Sequence, residues 1–165
     1  MIDLMNIEKL LSRRILKLEI SSWILTSMVT VYSIIFSYYT IMRHYSFRSN
    51  AWDLGILVQS IASAAQGKLF RNNVELYYSP TGSYFGIHFA PILFLAVPFF
   101  YLAPRVETIL ILQSTILALG AIPIYLLSKF YFNNYFVALT MATTYLLNPN
   151  LQGINWYDAH TQAFF

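Results

Sequence analysis

The chain has 165 residues, 58% hydrophobic and only 10% charged, with a formal net charge of +3 and no cysteine. Soluble domains carry about 25% charged residues, so an ordinary soluble domain is excluded, and the missing cysteines exclude a disulfide scaffold. The ten Lys and Arg are scattered rather than striped along one face, which excludes a nucleic-acid footprint. A mean hydropathy of +0.56 and 18% aromatic residues point instead to a chain that lives in a bilayer and at its interfaces.

In Met1–Glu19, Leu4, Ile7, Leu11, Ile15 and Leu18 fall at helical spacing, and Lys9, Arg13, Arg14 and Lys17 occupy the other faces. Residues 1–19 therefore predict an amphipathic basic helix on the anionic cytoplasmic membrane surface. A calmodulin-type target helix has the same pattern, but the adjacent apolar run favours the membrane. Ile20–Met42 carries no charge, over a length that crosses about 30 Å of hydrocarbon. Four basic residues before it place the N-terminus inside. The run is too long for a signal peptide, and no small-residue cleavage site follows it.

Residues 43–104 form the predicted first external loop. Within it, Leu54, Leu57, Val58, Ile61 and Ala65 make an apolar stripe on a helix from Ala51 to Gln66, stopped by Gly67. This helix is expected to lie apolar face down on the membrane. Tyr77 to Tyr84 reads as turn and coil. Phe89–Leu102 is 14 residues, about 21 Å as a helix, and contains Pro91 and Pro98. That is short of a span and fits a juxtamembrane or re-entrant helix.

Thr108–Ser128 is uncharged over 21 residues and holds Gly120 and Ala121, small enough for close helix packing. Phe130–Leu147 is a further apolar run, pinched at Asn133 and Asn134, so two spans meet in a very tight connection. Asn148-Pro149-Asn150 then breaks the helix, and Gln152–His160 is polar and aromatic. The expected fold is an all-α integral membrane domain over residues 1–165, with about three transmembrane helices plus juxtamembrane helices in the external loop. Asp53 and Asp158 then share the external side; if Phe89–Leu102 crossed, four spans would separate them. An apolar run restarting at Ala163 reads as the N-terminal part of a larger bundle.

Charges are few, so those at membrane boundaries are informative. Asp53 has two readings. It sits three residues after Asn50, as an acid in the first turn of a capped helix would, and it equally suits a general base or metal ligand. His88 opens a short helix, as an interfacial hydrogen bonder or a ligand. Asp158 and His160 are spaced i, i+2 and could share a metal on an extended backbone, although two ligands are not a site.

Three motifs in this order carry a resemblance: Ser49-Asn50-Ala51-Trp52-Asp53-Leu54-Gly55-Ile56, Ser83-Tyr84-Phe85-Gly86-Ile87-His88-Phe89-Ala90-Pro91, and Tyr157-Asp158-Ala159-His160. Together they resemble a family of predicted membrane proteins of unknown function, placed beside the GT-C integral-membrane glycosyltransferases. The resemblance covers nearly all of this chain and about the first third of a typical member. It implies Asp53 and Asp158 as catalytic acids on the external face, Tyr84, His88 and His160 as substrate-binding residues, and a polyprenyl-phosphate sugar as donor. Inverting transfer is implied, with Asp53 deprotonating the acceptor hydroxyl. Some of the superfamily use a divalent metal ion, for which Asp53, Asp158 and His160 would be the donors here. Where the resemblance leads one to expect an acid two residues after the histidine, the chain has Gln162, which weakens a metal site there. The alternatives are a non-catalytic scaffold or assembly subunit, bound to a membrane partner or to the remainder of a longer chain, and a transporter subunit. No ionisable residue stands in mid-span, which disfavours the transporter. Localisation is expected to be the cell membrane, multi-pass.

Overall fold

A computed structural model describes residues 4–164, with the side chains of residues 19–161, Leu16 and Ala163. Lys9, Arg13, Arg14 and Lys17, the side chains of the expected basic face, lie outside the described residues. Among the described residues every regular element is helical. Helix α1 runs unbroken from Leu4 to Tyr45, a stretch without Gly or Pro to interrupt it. Phe47, at φ 56°, turns the chain out of the helix direction.

A π turn at Ala51–Gly55 leads into α2, Ile56–Ala65. Gly67 closes it at φ 80°, with Lys68 N–H reaching back to the Ser63 carbonyl at 3.0 Å, a Schellman-type end. The helix lies where its stripe predicts, but its apolar face is not on lipid. Leu54, Leu57 and Ile61 are at most 3% exposed, covered by α3 (Val97–Leu102) and the loop between. That loop carries its own apolar knot, in which buried Phe70 stacks on Phe85 at 4.7 Å and meets Phe94 edge-on at 4.9 Å. Phe89–Leu102 holds no helix long enough to count among the candidate spans. Pro91 opens a short 3-10 segment, Pro91–Leu95, and Pro98 starts α3.

Helices α4 (Val106–Leu119) and α5 (Ala121–Phe132) form one bent rod. Pro123 has no N–H for the Leu119 carbonyl, so the ladder breaks near Gly120. Asn133 in the left-handed region and Asn134, whose side chain accepts the Phe136 N–H at 2.9 Å, turn the chain into α6, Tyr135–Leu146. Asn148 caps α7, Pro149–Trp156, in the same way at 2.9 Å. The proline that ends one helix therefore begins the next.

Two helices are long and apolar enough to cross a bilayer among the described residues, Glu19–Tyr45 and Val106–Phe132, at 27 residues each. The apolar run after Asn134 is divided. α6 is only 12 residues and packs along α5, and α7 continues from it until Arg43 of α1 meets Trp156, Tyr157 and Asp158. At the other end of the bundle Ser21 and Tyr125 share a hydrogen bond at 2.6 Å. The 22 residues from Ser21 to Arg43 rise about 33 Å, one hydrocarbon thickness. Exposed Trp23, Phe130, Tyr131 and Phe136 ring one end, and Tyr38, Tyr39, Trp52 and Trp156 ring the other, as aromatic belts do.

This geometry makes two expectations testable. Single cysteines at exposed Tyr77 and Asn134 should label from opposite sides of the membrane with an impermeant reagent, and labelling from the same side would refute the three-passage path. Small residues let the helices close: Ala118, Ala121, Ala138 and Ala142 are fully buried. A Cβ on Gly120 would run into the Tyr145 hydroxyl, which donates to the Leu117 carbonyl at 2.9 Å. Gly120→Ala should cost about 1–3 kcal/mol through overpacking, read as a lower melting temperature in detergent. An unchanged melting temperature would mean that α4 and α6 pack loosely at this point.

Candidate functional site

Helices α6 and α7 deliver the segment after Trp156 to the Arg43 end of α1. The Arg43 guanidinium, the only cation between Lys17 and Arg48, donates from Nη1 to the Trp156 carbonyl at 2.9 Å, to the Tyr157 carbonyl, and to Asp158 Oδ1 at 3.2 Å. It also lies over the Tyr157 ring. Asp158 is 2% exposed, and its second oxygen, Oδ2, accepts the Asn50 backbone N–H at 2.6 Å. Both carboxylate oxygens are thus engaged, and the residue before the π turn is fastened to the end of α7. Asn50 does stand at the helix start, but its side chain makes no cap.

Past Asp158 the chain doubles back on itself. His160 Nδ1 lies 2.6 Å from the Asp158 carbonyl, which can only accept, so the proton is on Nδ1 and a neutral ring leaves Nε2 as acceptor. The His160 backbone N–H donates to Oε1 of fully buried Gln113, at 3.1 Å. Thr161 and Tyr84 share a hydroxyl hydrogen bond at 2.8 Å, and the His88 ring leans on Tyr84 at 5.1 Å. Burial pushes the Tyr84 hydroxyl above its ordinary range, the Thr161 bond opposes this, and the carboxylates of Glu75 and Asp53 push it further up. Tyr84 therefore stays protonated at neutral pH, a donor in the field of two acids.

Asp53 sits on the π turn, half-buried. No described side chain hydrogen-bonds or ion-pairs with its carboxylate, unlike that of Asp158. Glu75 is 4% exposed and accepts from Asn72 Nδ2 at 2.7 Å. Beside the π turn opens a cavity of about 540 Å³, lined in part by His44, Ser49, Asn50, Leu54 and Val106. The five candidate residues thus gather at one end of the bundle, with His88 exposed, His160 half-buried and Tyr84 and Asp158 buried.

The family model described as "Predicted membrane protein (DUF2079)" matches residues 43–165, from the Arg43 clamp through both aspartates. The chain belongs to this family. No curated protein and no solved structure matches it. Within the family match lie four residues that sequence reasoning missed, Arg43, Asn50, Glu75 and Gln113. Arg43 has a visible signal, as the cation that ends an uncharged span. Gln113 has another, as a carboxamide inside an apolar run, whereas Glu75 and Asn50 are recognisable only from their partners in space.

The donors Asp53, Asp158 and His160 do not come together as a ligand set. Among the described residues no group of three or more His, Cys, Asp or Glu side chains is close enough to hold an ion. Asp158 is committed to Arg43 and Asn50, and the residues present do not fit a metal ion.

Proposed function

We propose that this membrane protein transfers a sugar from a polyprenyl-phosphate donor to an acceptor hydroxyl, with Asp53 as general base. The carrying observation is the contrast between the aspartates: Asp158 has both oxygens occupied, whereas Asp53 is half-buried and no described group hydrogen-bonds or ion-pairs with its carboxylate. A base must have a free lone pair within reach of the proton it takes. Asp53 accepts the acceptor hydroxyl proton as that oxygen attacks the anomeric carbon. The carbon–oxygen bond to phosphate breaks with inversion, and polyprenyl phosphate leaves. Tyr84, His88 and His160 supply donors and acceptors for sugar hydroxyls, and Asp158 positions the π turn through Asn50. We place the Arg43 end outside the cell membrane and the Asn133–Asn134 end inside.

The resemblance to GT-C enzymes and the concentration of polar chemistry at one bundle end support this reading over transport. The polar side chains buried between the helices, Gln113, Ser114 and Asn155, are uncharged, whereas ion pathways use ionisable groups there. The test is turnover. Intact protein reconstituted in liposomes should release polyprenyl phosphate from a polyprenyl-phosphate-linked sugar only when an acceptor hydroxyl is supplied. No release across a panel of common hexose and pentose donors would overturn the reading in favour of a scaffold.

A further inference from the structure

The polar face of α2 turns away from the apolar stripe and, with the loop after it, walls a cavity of about 310 Å³. Gln59, Ser63, Gln66, Lys68, Arg71 and Asn73 line it, and no acid does. Lys68 and Arg71 make no ion pair or side-chain hydrogen bond among the described residues. The walls are tied together. Gln59 Oε1 accepts the Asn73 backbone N–H at 2.9 Å, and Asn72 Nδ2 donates to Ser60 at 3.0 Å. Arg71 pairs with Ser83 in an isolated antiparallel bridge, bracketed by Tyr84 N–H to the Phe70 carbonyl at 2.8 Å and Asn72 N–H to the Gly82 carbonyl at 3.0 Å. Glu75 does not line the cavity: its buried carboxylate is turned inward onto Asn72, one residue behind the wall.

A cation just past a helix C-terminus complements the helix dipole, which accounts for Lys68. It accounts neither for Arg71, held by the bridge, nor for a cavity with carboxamide and hydroxyl walls. We propose that this cavity binds the phosphate group of an anionic ligand. Arg71 makes a forked contact to two oxygens and Lys68 a point-charge contact to a third. The amide groups of Gln59 and Gln66 donate to the remaining phosphate oxygens, while the Ser63 hydroxyl, which donates to the Ser60 carbonyl at 2.9 Å, only lines the wall. Ten residues separate Ser63 from Asp53, about 15 Å of helix. Gln59, six residues from Asp53, lines both this cavity and the one beside the π turn, so the two adjoin. Phosphate binding is read without glycosyl transfer, and its failure is distinguishable from failure of the Asp53 reading.

The phosphate could belong to a lipid headgroup or to a soluble ester, and two probes distinguish them. Intact protein in detergent is titrated with phosphatidylglycerol, with phosphatidylcholine and with inorganic phosphate, following melting temperature and lipid retained in native mass spectrometry. Saturable retention of one phosphatidylglycerol per chain, with phosphatidylcholine silent, identifies the lipid source. Saturation by inorganic phosphate alone identifies the soluble one. In either case Lys68→Gln with Arg71→Gln should weaken binding roughly ten- to a hundredfold for each charge-assisted hydrogen bond removed. Lys68→Arg alone should keep most of it, and Arg71→Lys, which keeps the charge and loses the fork, should fall between wild type and the Gln double variant. Arg48→Gln with Arg105→Gln, removing two charges elsewhere, should leave it intact. Equal binding by the Gln double variant, or no saturable binding of either probe, overturns the proposal.

Discussion

Asp53→Asn is expected to abolish sugar transfer while leaving the protein folded. The substitution keeps shape and polarity and removes the one property a base needs, because an amide oxygen cannot hold the proton of an attacking hydroxyl. Loss of a general base typically costs about 10²–10⁴-fold in rate. The competing account makes Asp53 an acid in the π turn that opens the helical run into α2, where the charge is worth roughly 0.3–1 kcal/mol to the helix. On that account transfer would survive nearly intact and the melting temperature would fall slightly. The two outcomes are far enough apart to be told from one preparation, by measuring turnover and thermal stability together. Among the described residues Asp53 has no hydrogen-bond or ion-pair partner whose loss would unfold the π turn, so a dead but stable variant points to chemistry. A variant at near wild-type rate removes Asp53 as base and with it the main support for an enzyme.

How much of this was legible in the chain differs element by element. The bounds of the external helix were, because its apolar stripe repeats at helical spacing and Gly67 takes the one backbone conformation that stops it there. What covers that stripe was not. A stripe says that a face is buried, and lipid and protein bury it alike, so only the structure assigns it to α3 and the Phe70 loop. The short Phe89–Leu102 segment was legible from length and two prolines, both quantities that need no partner. The run after Asn134 was legible as apolar and opaque as a path, since Pro149 ends a helix or opens one depending on the cap before it. The candidate site follows the same division. Asp53, Tyr84, His88, Asp158 and His160 could be named in advance, but the state of each acid could not, because Arg43 and Asp158 are 115 positions apart.

That long-range ion pair gives the second large effect. Arg43→Met should destabilise the protein by roughly 3–5 kcal/mol, because it leaves Asp158 as a buried carboxylate without a counter-ion. It also strips the donors from the two carbonyls at the end of α7. Asp158→Asn should cost less, about 1–3 kcal/mol, because Arg43 keeps those carbonyls and the introduced amide oxygen can still accept the Asn50 N–H. Combining Arg43→Met with Asp158→Leu removes both charges at once. The double variant should be more stable than Arg43→Met alone, since well-packed apolar groups replace a buried pair at little cost whereas a lone charge is expensive. Thermal unfolding of Arg43→Met, Asp158→Leu and the double variant in one detergent measures this, and simple additivity would show that the pair is not coupled. Activity separates positioning from chemistry at the same position. If Asp158 only holds Asn50 and the π turn, Asp158→Asn retains much of its rate and Arg43→Met loses it through a displaced Asp53. A rate loss in Asp158→Asn as deep as that of Asp53→Asn, in a protein of undiminished stability, would instead make Asp158 a second reacting carboxylate.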